Sequence, residues 1–172
     1  LFRAAALEYD SPAKTLERVN NLLLANSQNG LFVTTFYGIL SLEDGVLSYT
    51  IAGHNPPMMI EYEAKKVLEL DKGGIALGAL PDISLDDKQL ILNPGDCLVL
   101  YTDGVTEAFN LQDQMYGAKK LKNVLVKSIG RNARFTLEKL EEDLVKFRGD
   151  APLSDDTTIL VICGSQSLTA DN

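Results

Sequence analysis

Apolar positions recur at helical spacing in three stretches of the chain and at strand spacing in most of the rest. Over residues 11–26, Leu16, Val19 and Leu23 fall on one face while Lys14, Glu17 and Arg18 fall outside it. Ser11-Pro12 supplies a cap followed by proline at the first helical position. From Leu31 the period shortens. Residues 32–41 are rich in β-branched and aromatic side chains, and 46–52 alternate across Glu43-Asp44-Gly45, which predicts a hairpin. Two short strands over 57–62 and 66–70 follow, joined by Glu63-Ala64-Lys65, and the glycines from Gly73 to Gly78 mark a loop. Strands over 88–92 and 97–102 flank Asn93-Pro94-Gly95-Asp96, a proline-glycine turn. Residues 117–129 and 136–148 predict helices, the second with a stripe of Leu137, Leu140, Leu144 and Phe147. A last apolar strand spans 157–163, and 165–172 reads as a frayed tail.

The order is helix, about six strands, two helices, one strand. Strands in hairpin succession pair antiparallel and leave the helices on the outer faces, so the class is α+β. A doubly wound parallel sheet needs a helix between most strands, and the pattern lacks them.

Length and composition narrow this further. The chain has 172 residues, of which 45% are hydrophobic and 23% charged, room for one domain and one core. No apolar run reaches the roughly 18–20 residues that cross a bilayer, and the first residues lack a cleavable apolar leader. Sixteen Lys and Arg against 24 Asp and Glu give a net charge of −8, which argues against nucleic acid or an anionic membrane as partner. Cys97 and Cys163 each sit within an apolar run, which points to buried free thiols in a cytoplasmic protein and not to a zinc site.

Two acidic clusters hold the chemistry. In Tyr101-Thr102-Asp103-Gly104-Val105-Thr106-Glu107 an apolar strand runs into Asp-Gly, and in Ser154-Asp155-Asp156-Thr157-Thr158 two aspartates precede another apolar strand. If those strands are antiparallel neighbours, the end of one meets the start of the other, and Asp103 and Asp155 share a sheet edge. Carboxylates gathered there repel unless a cation neutralises them, and hard oxygen donors suit Mg²⁺ or Mn²⁺. The competing reading is a plain turn and a solvated loop. The single histidine stands in Gly53-His54-Asn55-Pro56-Pro57, a turn on pattern alone. A haloacid-dehalogenase phosphatase is excluded, because the position of its nucleophilic aspartate, two before Asp103, is Tyr101.

Taken in order, Phe32-Val33-Thr34-Thr35-Phe36-Tyr37-Gly38, Ala52-Gly53-His54-Asn55-Pro56-Pro57, Gly78 before Leu80-Pro81, Pro94-Gly95-Asp96, the stretch around Asp103-Gly104, Phe147-Arg148-Gly149 and Asp155-Asp156-Thr157-Thr158 resemble one family. It is the sporulation-type bacterial serine phosphatases, the SpoIIE and RsbU group of the metal-dependent protein phosphatase 2C superfamily. The resemblance implies a β-sandwich of two antiparallel sheets flanked by helices, with two Mn²⁺ or Mg²⁺ ions activating a water that attacks phosphoserine or phosphothreonine in line. Asp103 and Asp155 match metal-ligating aspartates, with Asp156 as the second candidate in its pair. Glu107 matches an acid of a weaker third metal site, and Gly104, His54 and Asn55 would line the site. His54 stands where eukaryotic relatives carry a third-metal acid.

The family's first motif, Asp-x-x-Gly-His-Gly with a metal-bridging aspartate, has no match in residues 1–172. The expectation is therefore a partial phosphatase domain over 1–164, incomplete at its N-terminus and inactive alone. Its substrate would be a phosphorylated anti-anti-sigma factor and its upstream neighbour a sensory domain. Absent strands would leave a bare sheet edge and favour a homo-oligomer. A partner-binding module that keeps the fold without turnover is the alternative.

Overall fold

The computed structural model describes residues 1–26 and 30–165. The chain divides into two compact units, Leu1–Pro56 with Asp71–Ile91, and Pro57–Leu70 with Leu92 onward. Length alone suggests one core, but each unit has its own apolar cluster.

In the first unit, α1 (Phe2–Ala5) and α2 (Pro12–Asn26) accompany a three-stranded antiparallel sheet in the order β1 (Thr35–Leu40), β2 (Val46–Ala52), β5 (Lys88–Ile91). The predicted cap forms. Ser11 Oγ accepts from the Lys14 amide at 3.1 Å and donates to Asp87 at 2.6 Å, and the other Asp87 oxygen accepts from the Ala13 amide. Leu16 and Val19 on the helix's inner face pack with Ala52, Leu77 and Leu85. The first predicted strand is shorter than its β-rich sequence, because Leu31 and Phe32 are exposed and only Val33 bridges to Leu77. Asn20 is fully buried within this unit, donating to the Leu80 carbonyl and accepting from the Gly78 amide. That pairing meets the requirement that a buried amide be satisfied.

In the second unit a four-stranded antiparallel sheet runs β4 (Lys66–Glu69), β3 (Met58–Glu61), β6 (Cys97–Tyr101), β7 (Ile159–Cys163). Helices α4 (Gly117–Val126) and α5 (Ala133–Arg148) pack Leu121, Leu125 and Leu140 with Met58, Ile60, Val99 and Tyr101 from one face of the sheet. Helix α5 begins three residues earlier than its apolar stripe predicts, because Asn132 caps it by accepting from the Phe135 amide at 2.9 Å. A single helical turn, α3 (Asp103–Thr106), follows β6 where the sequence reads as a turn. The Asn93–Asp96 turn closes on its own aspartate. Asp96 is 4% exposed and accepts from the Tyr62 and Asn93 amides and the Asn93 side chain.

The cysteines depart from the expectation of free thiols. Register sets Cys97, the first residue of β6, directly opposite Cys163, the last of β7, and the two form a disulfide. Their separation of 66 residues conceals that pairing from any local reading of the sequence. Of the expected tail at 165–172, residues 166–172 lie outside the described residues. Among the described residues no helix is long and apolar enough to cross a membrane.

Candidate functional site

Antiparallel pairing of β6 with β7 sets Tyr101 opposite Ile159, so the chain leaving β6 runs beside the chain entering β7. Asp103 is two residues past one strand and Asp155–Asp156 three to four residues before the other. The two acidic segments therefore lie at one edge of the sheet.

Beyond the ladder, hydroxyl groups tie these segments together. The Thr102 amide donates to the Thr158 carbonyl at 3.1 Å, while its Oγ1 accepts from the Thr158 amide at 3.0 Å and donates to the Asp156 carbonyl at 3.1 Å. Thr157 Oγ1 donates to the Gly104 carbonyl at 3.3 Å, and Ser154 Oγ donates to the Glu107 carbonyl at 3.2 Å. Gly104 is required by contact: a Cβ there would run into the Asp156 carbonyl oxygen. The Asp-Gly pair thus exists for close approach of two backbones, not for a left-handed turn.

Each aspartate is oriented locally. Asp103 Oδ1 accepts from the Gly104 amide at 3.0 Å, and its carbonyl accepts from the Glu107 amide at 2.7 Å. Asp155 Oδ1 accepts from the Asp156 amide at 2.7 Å. Asp103, Glu107, Asp155 and Asp156 are all exposed, and none of the ion pairs among the described residues involves them. Exposed carboxylates without a cationic partner, on two adjoining backbone segments, are the donor chemistry that Mg²⁺ and Mn²⁺ take while keeping several waters. Among the described residues no group of three or more His, Cys, Asp or Glu side chains converges tightly enough to hold a metal unaided.

The remaining candidates, His54 and Asn55, follow β2 and belong to the first unit. His54 is half-buried, with Nδ1 2.9 Å from the Asn55 carbonyl. A carbonyl only accepts, so Nδ1 carries the hydrogen.

The motif reading passes over Thr102, Ser154 and Thr157, whose hydroxyls join the acidic segments. The signal available was Thr or Ser beside each acid cluster, but hydroxyl residues are common in loops and the pattern alone does not mark them. A cavity of about 430 Å³ adjoins the same edge, with Asp155 and Arg148 on its wall and Leu137, Leu144, Val145 and Ile159 as its apolar lining.

Comparison with known proteins fits this architecture. Residues 1–164 match the family model described as stage II sporulation protein E, SpoIIE. Phosphoserine phosphatase RsbU of Bacillus subtilis is 25% identical over 151 residues, covering 88% of this chain and 44% of that protein. Protein IcfG of a Synechocystis strain is 29% identical over 132 residues, covering 77% of this chain and 20% of that protein. The chain thus spans less than half the length of either relative. Among solved structures, the SiaA-PP2C domain of Pseudomonas aeruginosa superposes with a TM-score of 0.80 at 20% identity, covering 96% of this chain and 68% of that one. The PP2C phosphatase domain of SpoIIE from Bacillus subtilis superposes with a TM-score of 0.74 at 16% identity, covering 93% and 46%. Two antiparallel sheets with attendant helices are the fold these domains share with the chain.

Proposed function

Because the chain belongs to the SpoIIE family of PP2C-type phosphatases, we propose that it is the metal-binding part of a protein phosphatase acting on phosphoserine or phosphothreonine. The observation that supports this most is the β6–β7 ladder, which sets Asp103 and Asp155 at one sheet edge. Asp103 and Asp155 hold Mn²⁺ or Mg²⁺, Asp156 is the alternative ligand in its pair, and Glu107 serves a weaker, third position. Bound metal supplies a water acidic enough to attack phosphorus at neutral pH and offsets charge on the phosphoryl group. Thr102, Thr157 and Ser154 act as positioning residues, because their hydroxyls hold the two carboxylate-bearing segments in register. Gly104 permits that approach.

The substrate we assign is a phosphorylated signalling protein of the anti-anti-sigma type, met in the cytoplasm, with a sensory domain elsewhere in the complete polypeptide. Because nothing in residues 1–172 matches the family's metal-bridging aspartate, residues 1–172 alone bind metal weakly and their turnover is negligible.

Calorimetric titration of the chain with Mn²⁺ tests the metal site. Asp103→Asn and Asp155→Asn should each weaken binding at least tenfold, whereas the same substitution at the surface residue Asp113 should not. Release of phosphate from a phosphoserine protein by the complete polypeptide should need Mn²⁺ and both aspartates. Metal-independent release, or none with every ligand present, would favour the partner-binding module instead.

A further inference from the structure

Leu121 and Leu125 of α4 and Leu140 of α5 pack against the four-stranded sheet. A second stripe of α4 faces α5. Lys120, Val124 and Lys127 fall at i, i+4 and i+7, about a third of a turn from Leu121 and Leu125. Together with Asp143, Lys146 and Phe147 of α5 they line a groove of about 470 Å³ between the two helices. A strand added at either edge of the sheet lies in the sheet's plane, beneath the helices, and leaves this groove uncovered.

The charge of the groove opposes that of the molecule. The chain carries 24 acidic against 16 basic residues, yet residues 117–127 hold four lysines and no acid. Helix stability does not explain them, because Lys119 and Lys120 stand in the first turn of α4, where the helix dipole favours carboxylates and none is present. Lys119, Lys120, Lys122, Lys127 and Lys146 are exposed, and none of the ion pairs among the described residues involves them. Asp143, the one acid lining the groove, is tied into the helix packing, where it accepts from the Tyr116 hydroxyl at 2.8 Å.

The groove is also stiff. Lys120 Nζ lies 3.7 Å from the centre of the Phe147 ring, a cation–π contact that holds the ammonium at the groove's rim. The ring is itself set by an edge contact with Tyr116, the centroids 5.2 Å apart. Groups already in place lose little freedom when a partner binds. Lys127 repeats the positive charge about 10 Å further along α4, and Lys146 stands on the facing wall.

We infer that the groove takes an acidic helical segment of a partner protein. Carboxylates two turns apart on such a helix meet Lys120 and Lys127, another meets Lys146, and an aliphatic side chain between them rests on Phe147. Each lysine then gains the opposite charge that its own chain does not supply. Nucleic acid fits less well. It carries a charge every ~1.7 Å, and past the groove it would run onto a molecule of net charge −8. A short acidic helix ends before that repulsion begins. The inference does not depend on metal binding or turnover.

Fluorescence anisotropy with the 172-residue chain tests it. The probe is an end-blocked, fluorescein-labelled helical peptide of about 15 residues, with glutamates at i, i+4 and i+7 beside leucines. The expected result is saturable binding at about 20 mM salt that weakens roughly fivefold or more at about 150 mM. Lys120→Glu combined with Lys127→Glu should raise the dissociation constant roughly tenfold or more. Lys119→Glu combined with Lys122→Glu changes the net charge equally on another face of α4 and should raise it less than about threefold. Lys146→Gln should weaken binding as well, and it decides the matter if the paired substitutions on α4 fail to fold. Absence of saturable binding, equal losses in the two paired variants, no loss in Lys146→Gln, or equal affinity for an oligodeoxythymidine of the same length would overturn the inference.

Discussion

The two ends of the β6–β7 ladder are fastened by different means. At one end the Cys97–Cys163 disulfide crosses directly between paired residues. At the other, three hydroxyls and one missing Cβ hold the acidic segments together. The covalent end sits over a buried cysteine that is 1% exposed, whereas the acidic end is open to water. A link made of hydrogen bonds can yield slightly when a cation enters, and its donors and acceptors aim backbone as well as side chains. A disulfide fixes register and stabilises the pair but offers no donor to a ligand. The contrast places a covalent brace at one end of the strand pair and the proposed metal-binding acids at the other.

Reduction of the disulfide should give the largest effect. Releasing a cross-link that closes a 66-residue separation should lower the free energy of unfolding by about 4 kcal/mol in the chain-entropy view. Urea denaturation with and without dithiothreitol measures this. If the ends are independent, Mn²⁺ affinity should change far less than stability. Gly104→Ala comes next. Its Cβ enters the space of the Asp156 carbonyl, so the acidic segments must part at a cost of roughly 2–3 kcal/mol, and metal affinity should fall with stability. Equal Mn²⁺ affinity in this variant and the parent would separate the two acid clusters functionally. Thr102→Val should cost about 1–2 kcal/mol by stripping a donor from the Asp156 carbonyl and an acceptor from the Thr158 amide, and Thr102→Ser should recover most of it.

The smallest effect is expected in alkali. Burial, with the nearby charge of Glu69, pushes the Tyr101 hydroxyl up to about 12 from its ordinary 10.0. Burial and the hydrogen bond to Asp143 raise Tyr116 too. A raised folded value means that the native state holds the proton more tightly than the unfolded chain. The stability it contributes is therefore complete below pH 10 and is lost as pH rises toward 12. Thermal melts from pH 9 to 12 should show that decline, and Tyr101→Phe should flatten it.

Much of the architecture was legible along the chain because it rests on local periodicity. The Ser11-Pro12 cap, the hairpin around Glu43-Asp44-Gly45, the Asn93–Asp96 turn and the strands leading to Asp103 and from Asp155 each follow from side chains a few residues apart. Boundaries were less legible where a partner decides them. The start of α5 depends on an Asn132 cap five residues before the first residue of its apolar stripe, and the shortened β1 depends on the exposure of Leu31 and Phe32. The candidate site residues stand out in the sequence as acids beside strands. Their hydroxyl ties do not, because Thr102 and Thr157 are ordinary loop residues until the register sets them face to face.

From its letters alone the chain determined the α+β class, the order of its elements and the two acid-bearing strand ends, since hydrophobic period and turn chemistry act between near neighbours. Tertiary structure alone decided the Cys97–Cys163 bond, the division into two cores and the contact that excludes a Cβ at Gly104. Each of these depends on which strands pair and in what register, and pairing between distant segments is set by packing of the whole sheet, which no short window of sequence contains.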